Sequence, residues 1–253
     1  MIPWQQRTEQ LFGSDKMECL RRAHVLVVGI GGVGAYAAEM LCRAGVGEMT
    51  IVDADTVQPS NINRQLPATH ATVGRLKTDV MHERLLAINP ALRLHVQSRY
   101  LTEADIPSLL DIPYTFIVDA IDTVGPKCAL IAEAVRRRIP IISSMGAGAK
   151  SDITKVQFAR LGDTFHCGLS KAVRNKLRHV ARTQQDGSLT YRLSDLMKTP
   201  VVFSSEQADP RTIIAVEGEP GKKSTTGTVS YMPAVFGCYL ADYVIRKIVF
   251  SQE

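Results

Sequence analysis

The sequence has few cysteines, and their spacing fits neither cross-links nor a metal site. There are five in 253 residues, an odd number, and no two form a C-x-x-C pair. They are Cys19, Cys42, Cys128, Cys167 and Cys238. A disulfide framework needs paired cysteines, and a four-cysteine zinc site uses closely spaced pairs. We therefore expect reduced thiols and no zinc, with the loop residue Cys167 as the candidate nucleophile.

Long apolar runs are also lacking. The first residues, MIPWQQR, contain no apolar core of a signal peptide. The longest apolar stretch, residues 231–249, is interrupted by Asp242, Arg246 and Lys247, which predicts a packed helix rather than a membrane span. We expect a cytoplasmic protein that is not an integral membrane protein. Peripheral contact of this last helix with a membrane is the alternative.

Neither charge sign dominates the chain as a whole, but one segment is basic. The formal net charge is +5, while residues 160–198 alone contain eight Lys or Arg against three Asp. Four of the basic residues lie on one predicted helix: Lys171, Arg174, Lys176 and Arg178. Such clustering is typical of a surface that binds a nucleic-acid phosphate backbone. A solvated helix face is the alternative.

Strand-like and helix-like segments alternate in the first part of the chain. Strands are predicted at residues 24–28, 48–52, 92–96, 115–118 and 140–144. Helices are predicted at residues 35–44, 71–89 and 126–138. This alternation indicates an α/β protein with a Rossmann-like, mostly parallel sheet and helices on both faces. There is no internal repeat and no clear linker, so we expect a single domain over residues 1–253.

The pattern loosens after residue 150. The predicted elements are a strand at 153–159, a helix at 169–180, a strand at 201–205, a long mobile loop at 209–228 and a last helix at 229–250. We therefore expect mixed strands in the C-terminal part.

A glycine-rich turn links the first predicted strand to the first helix. Its glycines are Gly29, Gly31, Gly32 and Gly34. Glycines let the backbone approach a phosphate, and the N-terminus of the following helix offers free N–H groups. Asp53, about twenty residues on, ends the next strand, where a carboxylate binds ribose hydroxyls. This context indicates a nucleotide site but does not distinguish NAD, FAD and ATP. A tight turn without a ligand is the alternative.

The segment after Asp53 favours a triphosphate. It contains Asp55, Asn61, Asn63, Arg64 and Gln65. An arginine pairs well with phosphate oxygens, and amides add further donors, whereas an NAD site has little use for this set. Lys77, in the first turns of the next predicted helix, is a further candidate for contact with phosphate. A polar surface loop and a solvated lysine are the alternatives.

Two carboxylates, Asp119 and Asp122, follow the fourth predicted strand. Carboxylates at this end of a strand lie on the ligand side of an open α/β sheet. Mg²⁺ binds through one or two carboxylates together with substrate phosphates. The spacing therefore predicts a magnesium site, and an N-cap role for Asp122 is the alternative.

Together these motifs resemble, in order and spacing, the ubiquitin-activating-enzyme-like adenylyltransferases, the family of the ThiF, MoeB and HesA proteins. The motifs are residues 29–34, 53–55, 60–65, Lys77 and 119–122. The resemblance covers roughly residues 7–160. It implies binding of ATP and Mg²⁺, attack of a substrate carboxylate on the α-phosphate, and release of pyrophosphate from an acyl-adenylate.

The same resemblance implies roles for individual residues. Gly32 approaches the nucleotide, Asp53 holds the ribose and Asp122 binds Mg²⁺. The residues expected at the phosphates are Asn61, Arg64, Gln65 and Lys77, of which Arg64 and Lys77 stabilise the charge that develops at phosphorus. The family usually forms homodimers in which an N-terminal arginine reaches the partner's site. Arg7 is the best match for that arginine, ahead of Arg21 and Arg22.

The lack of two kinds of cysteine narrows the resemblance to one branch of the family. The chain lacks the paired zinc cysteines usual in activators of sulfur carriers, and no cysteine lies in a clear thioester context. Residues 118–127, 140–148 and 169–178 are similar to the branch that dehydrates threonylcarbamoyladenosine in tRNA. One departure is Cys167-Gly168, where that branch tends to have Asp-Pro. The implied partners are the modified tRNA anticodon loop and a sulfur-transfer protein, and no DNA.

Three other functions stay open at this point. The chain could adenylate the C-terminus of a ubiquitin-like sulfur carrier, bind NAD as a redox module, or bind tRNA without catalysis. The presence of Arg64, Lys77 and Asp122 together argues against the last. In the favoured interpretation, residues about 20–150 bind the nucleotide and residues about 151–253 face the tRNA.

Overall fold

The computed structural model describes residues 2–183, 192–215 and 224–250. The strands in these ranges are β1 (His24–Val28), β2 (Glu48–Val52), β3 (Arg93–Gln97), β4 (Phe116–Asp119), β5 (Ile141–Ser144), β6 (Val156–Arg160), β7 (Pro200–Ser204), β8 (Ile213–Ala215) and β9 (Ser224–Thr226). The helices are α1 (Gln6–Phe12), α2 (Ser14–Arg22), α3 (Gly34–Ala44), α4 (Lys77–Ile88), α5 (Ile106–Leu109), α6 (Val124–Arg137), α7 (Gly168–Thr183), α8 (Leu193–Met197) and α9 (Tyr231–Val249).

One sheet contains strands from both parts of the chain. Its order is β3-β2-β1-β4-β5-β7-β6, and only the β6–β7 pair is antiparallel. The expected Rossmann-like, mostly parallel sheet with mixed strands in the C-terminal part is therefore confirmed. Because β1 is central and the order reverses next to it, the crevice at the carboxyl ends of β1, β2 and β4 is where such folds bind ligands.

Both faces of the sheet are covered by helices. Val25 and Val27 of β1 belong to a core shared with α2, α3 and α9. Leu26 and Val28 belong to a second core, shared with α6 and α7. Alternate residues of a strand point to opposite faces, which is why a fully apolar strand such as β1 serves both cores.

The last helix, α9, lies very close to α3. A Cβ atom at Gly237 would lie 2.5 Å from the carbonyl oxygen of Val33, so only glycine permits this approach. Near the start of α9, Pro233 reaches the glycine-rich turn, since a Cβ at Gly32 would lie 3.0 Å from its Cβ. The apolar face of α9 is thus part of the core. No helix in the described ranges has the length and hydropathy needed to cross a membrane.

Several sequence predictions need correction. The helix predicted at 71–89 begins only at Lys77, because residues 71–75 form turns in which Gly74 has a φ of +87°. The strand predicted at 153–159 is a 3-10 turn followed by β6. The long loop predicted at 209–228 contains the antiparallel pair β8–β9, and its residues 216–223 lie outside the described residues. Four helices, α1, α2, α5 and α8, were not predicted.

Candidate active site

The glycine-rich turn lies between β1 and α3, and its shape excludes larger residues. Gly29 has a φ of +89°, and a Cβ there would lie 2.7 Å from the carbonyl oxygen of Ala120. A Cβ at Gly34 would lie 1.8 Å from the carbonyl oxygen of Gly29. The N-cap residue of α3 is Val33, whose side chain cannot accept a hydrogen bond from the first turn. Of the N–H groups in the first turn of α3, that of Ala35 donates to the carbonyl oxygen of Gly31 at 3.2 Å, and no cap side chain binds the others, which can meet an anionic ligand.

Asp53, at the end of β2, is bonded to the glycine-rich turn. Its Oδ2 accepts a hydrogen bond of 2.6 Å from the backbone N–H of Ile30, and its Oδ1 accepts one of 2.8 Å from that of Asp55. Burial raises the pKa of Asp53, and the charge of Lys77 together with these two hydrogen bonds acts in the opposite direction. The carboxylate fixes the turn beside β2. Its contact with ribose stays a prediction.

Lys77 is the first residue of α4 and is nearly buried. Its Nζ lies 2.6 Å from Oδ2 of Asp55, whose side chain is 67% exposed, while the lysine side chain is 6% exposed. The buried ammonium therefore has a counter-ion that solvent also reaches. A phosphate that enters this edge of the sheet can take over the pairing with Lys77.

The polar loop after Asp53 holds an arginine, Arg64, that has no acidic partner among the described residues. Arg64 donates through Nη1 to the carbonyl oxygen of Ser60 at 2.9 Å and to Oδ1 of Asn63 at 2.8 Å. Asn61, which is buried, stabilises the loop by accepting a hydrogen bond of 3.1 Å from the N–H of Gln58. Among the described residues no carboxylate lies within ion-pair distance of Arg64. Its positive charge is uncompensated, as a phosphate site requires.

Gln65 lies against the glycine-rich turn with an unsatisfied amide. A Cβ at Gly31 would lie 3.8 Å from its Nε2. Its Oε1 is buried and finds no hydrogen-bond partner within the described ranges. A buried acceptor without a partner is costly unless a ligand satisfies it. A ligand in the crevice that donates an N–H or O–H group would satisfy this oxygen.

The two carboxylates after β4 have different surroundings. Asp119 is fully buried, and its Oδ2 accepts from Nζ of Lys127 at 2.7 Å and from Oγ of Ser143 at 2.5 Å. Its Oδ1 accepts from the N–H of Ile121 at 3.0 Å. Asp122 is exposed, just before α6. Asp119 thus shapes the loop internally, which argues against its predicted role at a metal, and leaves Asp122 as the accessible carboxylate.

Two features of this edge were missed by sequence reasoning. Lys127 is a fully buried cation on α6, and its only sequence signal is a charged residue among apolar helix positions. The segment after β9 also reaches the site: the carbonyl oxygen of Thr228 accepts from Nδ2 of Asn63 at 2.9 Å. The N–H of Ala149 donates to the carbonyl oxygen of Gly227 at 2.8 Å. Contacts between such distant segments leave no signal in the sequence.

The basic helix α7 presents two of its four predicted cations to solvent. Lys171 and Arg178 are exposed. Lys176 forms an ion pair with Glu103. Arg174 is half-buried, and burial lowers its pKa, with repulsion from Arg178 adding to that effect.

Arg174 is held against the protein itself. It donates to Oγ1 of Thr164 and, at 3.2 Å, to Oγ of Ser170. Its guanidinium is therefore less available to a nucleic acid than those of exposed residues.

Cys167, the candidate nucleophile, lies just before this helix and is only 8% exposed. Arg7 is exposed on α1, which packs against α2.

Comparison with known proteins places this site in a family. A sequence model of the ThiF family matches residues 5–253. This chain belongs to the ThiF family. The ThiF-family resemblance inferred from the sequence motifs is thereby confirmed.

Individual ThiF-family relatives match over nearly the whole chain. The tRNA threonylcarbamoyladenosine dehydratase of Haemophilus influenzae is 34% identical over 241 residues, which are 95% of this chain and 91% of that protein. A crystal structure of the Escherichia coli tRNA N6-threonylcarbamoyladenosine dehydratase in complex with ATP superposes with a TM-score of 0.85. It is 32% identical, and the match covers 100% of this chain and 97% of that one.

A ThiF-family relative with another activity matches less of the chain. The molybdopterin-synthase adenylyltransferase of Escherichia coli is 33% identical over 143 residues, which are 56% of this chain and 57% of that protein. The match to the Haemophilus influenzae dehydratase covers 95% of this chain, against 56% for this adenylyltransferase. The comparisons therefore favour the dehydratase over the activator of a sulfur carrier.

Proposed function

We propose that this protein dehydrates threonylcarbamoyladenosine in tRNA at the expense of ATP. The observation that carries the proposal is the crevice at the carboxyl ends of β1, β2 and β4. Four features converge there: the glycine-rich turn, the nearly buried Lys77, Arg64, which has no acidic partner among the described residues, and Gln65, whose Oε1 has no partner among them. The substrate is taken from a relative named as a tRNA threonylcarbamoyladenosine dehydratase, which matches 95% of this chain.

The reaction has two steps. A carboxylate oxygen of the threonine moiety attacks the α-phosphorus of ATP, the bond to pyrophosphate breaks, and an acyl-adenylate forms. A neighbouring atom of the same modification then attacks the acyl carbon, loses its proton and expels AMP, which closes a ring. The net change in the nucleoside is the loss of one water, and no enzyme thiol is needed.

Each group of the crevice has a part in the first step. N–H groups at the start of α3 bind phosphate oxygens, and Asp53 binds the ribose. Arg64 and Lys77 stabilise the negative charge that builds up on the phosphate during attack, and Asn61, Asn63 and Gln65 orient it. Charges preorganised in a crevice with little water give the largest catalytic effects.

Mg²⁺ is part of the proposal, with Asp122 as its protein ligand. The exposed carboxylate of Asp122 follows directly on the loop that touches Gly29, so it lies at the nucleotide edge. One carboxylate plus phosphate oxygens and waters is a common Mg²⁺ environment. The ion would neutralise charge on the leaving pyrophosphate. Asp55, exposed beside Lys77, is a second acidic group near the nucleotide.

The tRNA binds, in this proposal, across the part of the chain at about 151–253. The exposed Lys171 and Arg178 on α7 contact its phosphates first, and Arg174 and Lys176 contribute once their present partners are displaced. Both parts of the chain contribute strands to one sheet, which supports a single catalytic unit.

The remaining parts of the proposal concern the cellular setting. The protein acts in the cytoplasm as a homodimer in which Arg7, exposed on α1, reaches the partner's nucleotide site. The resemblance suggests a sulfur-transfer protein as an additional partner. Size measurement of wild type and of Arg7→Ala, with ATP turnover as the second readout, tests the dimer.

Mass spectrometry of tRNA tests the reaction. Purified protein, ATP, Mg²⁺ and tRNA carrying threonylcarbamoyladenosine are mixed, and the nucleoside is expected to lose the mass of one water while AMP and pyrophosphate form. Arg64→Ala and Lys77→Ala are expected to abolish this, and Arg138→Gln, at an exposed arginine directly after α6, to leave it intact. AMP formation only with a ubiquitin-like carrier, and no change in the nucleoside, would refute the proposal.

A further inference from the structure

Two histidines and a glutamate meet at the amino edge of the sheet, opposite the nucleotide crevice. His24 is the first residue of β1, and Glu48, its register partner, is the first residue of β2. His95 lies on β3, two residues beyond the partner of Glu48. Three neighbouring strands thus bring these side chains to one place. Neither the nucleotide site nor the tRNA surface uses any of them.

The three side chains are close enough to share one ion. One ligand atom from each lies within 4.8 Å of the other two. Oε1 of Glu48 lies 2.9 Å from Nε2 of His95 and 3.7 Å from Nδ1 of His24. Ligands about 2.0 to 2.2 Å from a tetrahedral metal are roughly 3.3 to 3.6 Å apart. The two Glu48 spacings lie just below and just above this range, so shifts of a few tenths of an ångström in the half-exposed His95 and in Glu48 bring the three atoms to it.

The surroundings orient the ligand atoms. Nε2 of His24 lies 2.9 Å from Oγ1 of Thr50, so a proton on Nε2 leaves Nδ1 with its lone pair toward Glu48. Oε2 of Glu48 accepts from Nη2 of Arg93 at 2.6 Å. Hydrogen bonds of this kind on the outer atoms of ligands are typical of metal sites.

We propose that His24, Glu48 and His95 form a binding site for a divalent metal of the zinc type. Two imidazoles and one carboxylate are a ligand set that Zn²⁺ and Co²⁺ favour over Mg²⁺ or Ca²⁺. The group is the only set of three or more such side chains with this spacing in the described part of the chain. A cavity of about 350 Å³ borders it, lined also by Arg22, Ile112, Pro113 and Thr115, and leaves a fourth position for water or a small anion.

A metal here would tie together three strands of the sheet. Because the ligands come from separate strands, the assembled site belongs to the folded state, and the ion stabilises that state by mass action. The proposed site is distinct from the site of adenylation, since it lies at the other end of the strands. Its test is therefore independent of whether the proposed function is correct.

Cobalt binding tests the site directly. Nucleotide-free protein is titrated with Co²⁺ and followed by visible absorption, then by equilibrium dialysis with Zn²⁺. One equivalent is expected to bind with the intense bands of a four-coordinate ion and without the charge-transfer band of cysteine ligands. His95→Ala and Glu48→Gln are expected to weaken binding by more than about 100-fold. The control His70→Ala, which removes an exposed histidine elsewhere, should bind as wild type does.

Thermal unfolding supplies the second measurement. Zn²⁺ is expected to raise the melting temperature of wild type and His70→Ala, and to leave that of His95→Ala unchanged. Circular dichroism checks that every variant is folded. Wild-type protein that binds no Co²⁺ at micromolar concentration, or equal binding by wild type, His95→Ala and Glu48→Gln, would overturn the proposal and leave an ordinary ion-pair cluster.

Discussion

Nζ of Lys127 on α6 lies 2.7 Å from Oδ2 of Asp119 at the end of β4, and neither side chain has any exposed surface. The same ammonium donates to the carbonyl oxygen of Ile121 at 2.8 Å. The pair therefore holds the short loop that carries Asp122 at the proposed nucleotide site. Its position links the stability of the sheet to the geometry of the site.

Replacement of Lys127 is expected to be strongly destabilising. Lys127→Met leaves the Asp119 carboxylate buried without its cation, a change that costs about 3 to 5 kcal/mol in comparable sites. Urea unfolding followed by circular dichroism measures the loss. Lys198→Met, at a lysine whose side chain is 64% exposed, is the matched control and should change stability by less than about 0.5 kcal/mol. Equal losses of stability in the two variants would show that the buried pair contributes no more to stability than an exposed lysine does.

Gly34→Ala is expected to abolish ATP binding. The new methyl group would have to displace the carbonyl oxygen of Gly29, only 1.8 Å away, and with it the glycine-rich turn. Fluorescent-nucleotide titration and thermal unfolding are the measurements. Gly168→Ala, at the start of α7 with no atom within 4 Å of its Cβ, is the control. Normal ATP affinity in Gly34→Ala would show that the glycine-rich turn can change its shape and still bind the nucleotide.

Gln65→Leu is expected to separate stability from affinity. Removing the buried Oε1, which has no partner in the described residues, should stabilise the ligand-free protein by about 1 kcal/mol. Losing the amide should weaken ATP binding about tenfold, or ~1.4 kcal/mol. Urea unfolding without nucleotide and calorimetric titration with ATP measure the two effects. The control is Gln157→Leu on β6, an exposed position where neither change is expected. Loss of stability in Gln65→Leu would contradict the assignment.

Glu39 predicts a pH dependence of stability. Burial alone would raise its pKa, but hydrogen bonds from Arg84 of α4 and Arg43 hold the pKa below its usual 4.5. The ionised carboxylate therefore stabilises the fold above pH 4.5, and this contribution is lost as the pH falls through the lowered value.

The substitution Glu39→Gln checks this sign. It is expected to cost about 1 to 2 kcal/mol at pH 7, because the hydrogen bonds to charged groups weaken. The difference from wild type should shrink as the pH falls below 4.5, as measured by urea unfolding at each pH. Glu18→Gln, in a more exposed ion pair, should have little effect throughout. A difference in unfolding free energy that grows as the pH falls would contradict the lowered pKa of Glu39.

The two exposed cations of α7 should dominate binding of tRNA. Lys171→Glu and Arg178→Glu are each expected to weaken binding about tenfold and to lower the slope of log affinity against log salt by about one. Lys176→Ala should have a smaller effect, because Glu103 already pairs with it. Filter binding over a range of salt concentrations measures all three. A larger loss for Lys176 than for Lys171 would place the tRNA on a different face of the helix.

Local sequence patterns were sufficient to predict the parallel sheet and the glycine-rich turn. The apolar residues of β1, the glycines after it and the spacing to Asp53 are short-range signals, and each predicted its element correctly. The role of Asp119 could not be read in this way, because its partner Lys127 is selected by how α6 packs on the sheet. Likewise, α4 begins at Lys77 and not at residue 71, because Gly74 takes a positive φ and residues 71–75 form turns before the helix.

The group of His24, Glu48 and His95 illustrates the same limit. His24, Glu48 and His95 are each unremarkable in sequence, and only the parallel register of β1, β2 and β3 brings them together. The contacts of Asn63 with Thr228 are equally invisible, since the two residues come from distant parts of the chain.

The approach of Pro233 to Gly32 has a consequence for biosynthesis. The turn that receives the nucleotide is made early, whereas the helix that forms its wall, α9, leaves the ribosome much later. A nascent chain that has not yet reached Tyr231 has the glycine-rich turn but lacks α9, which packs against it. Nucleotide affinity should therefore arise late during translation, once α9 has packed against the glycine-rich turn.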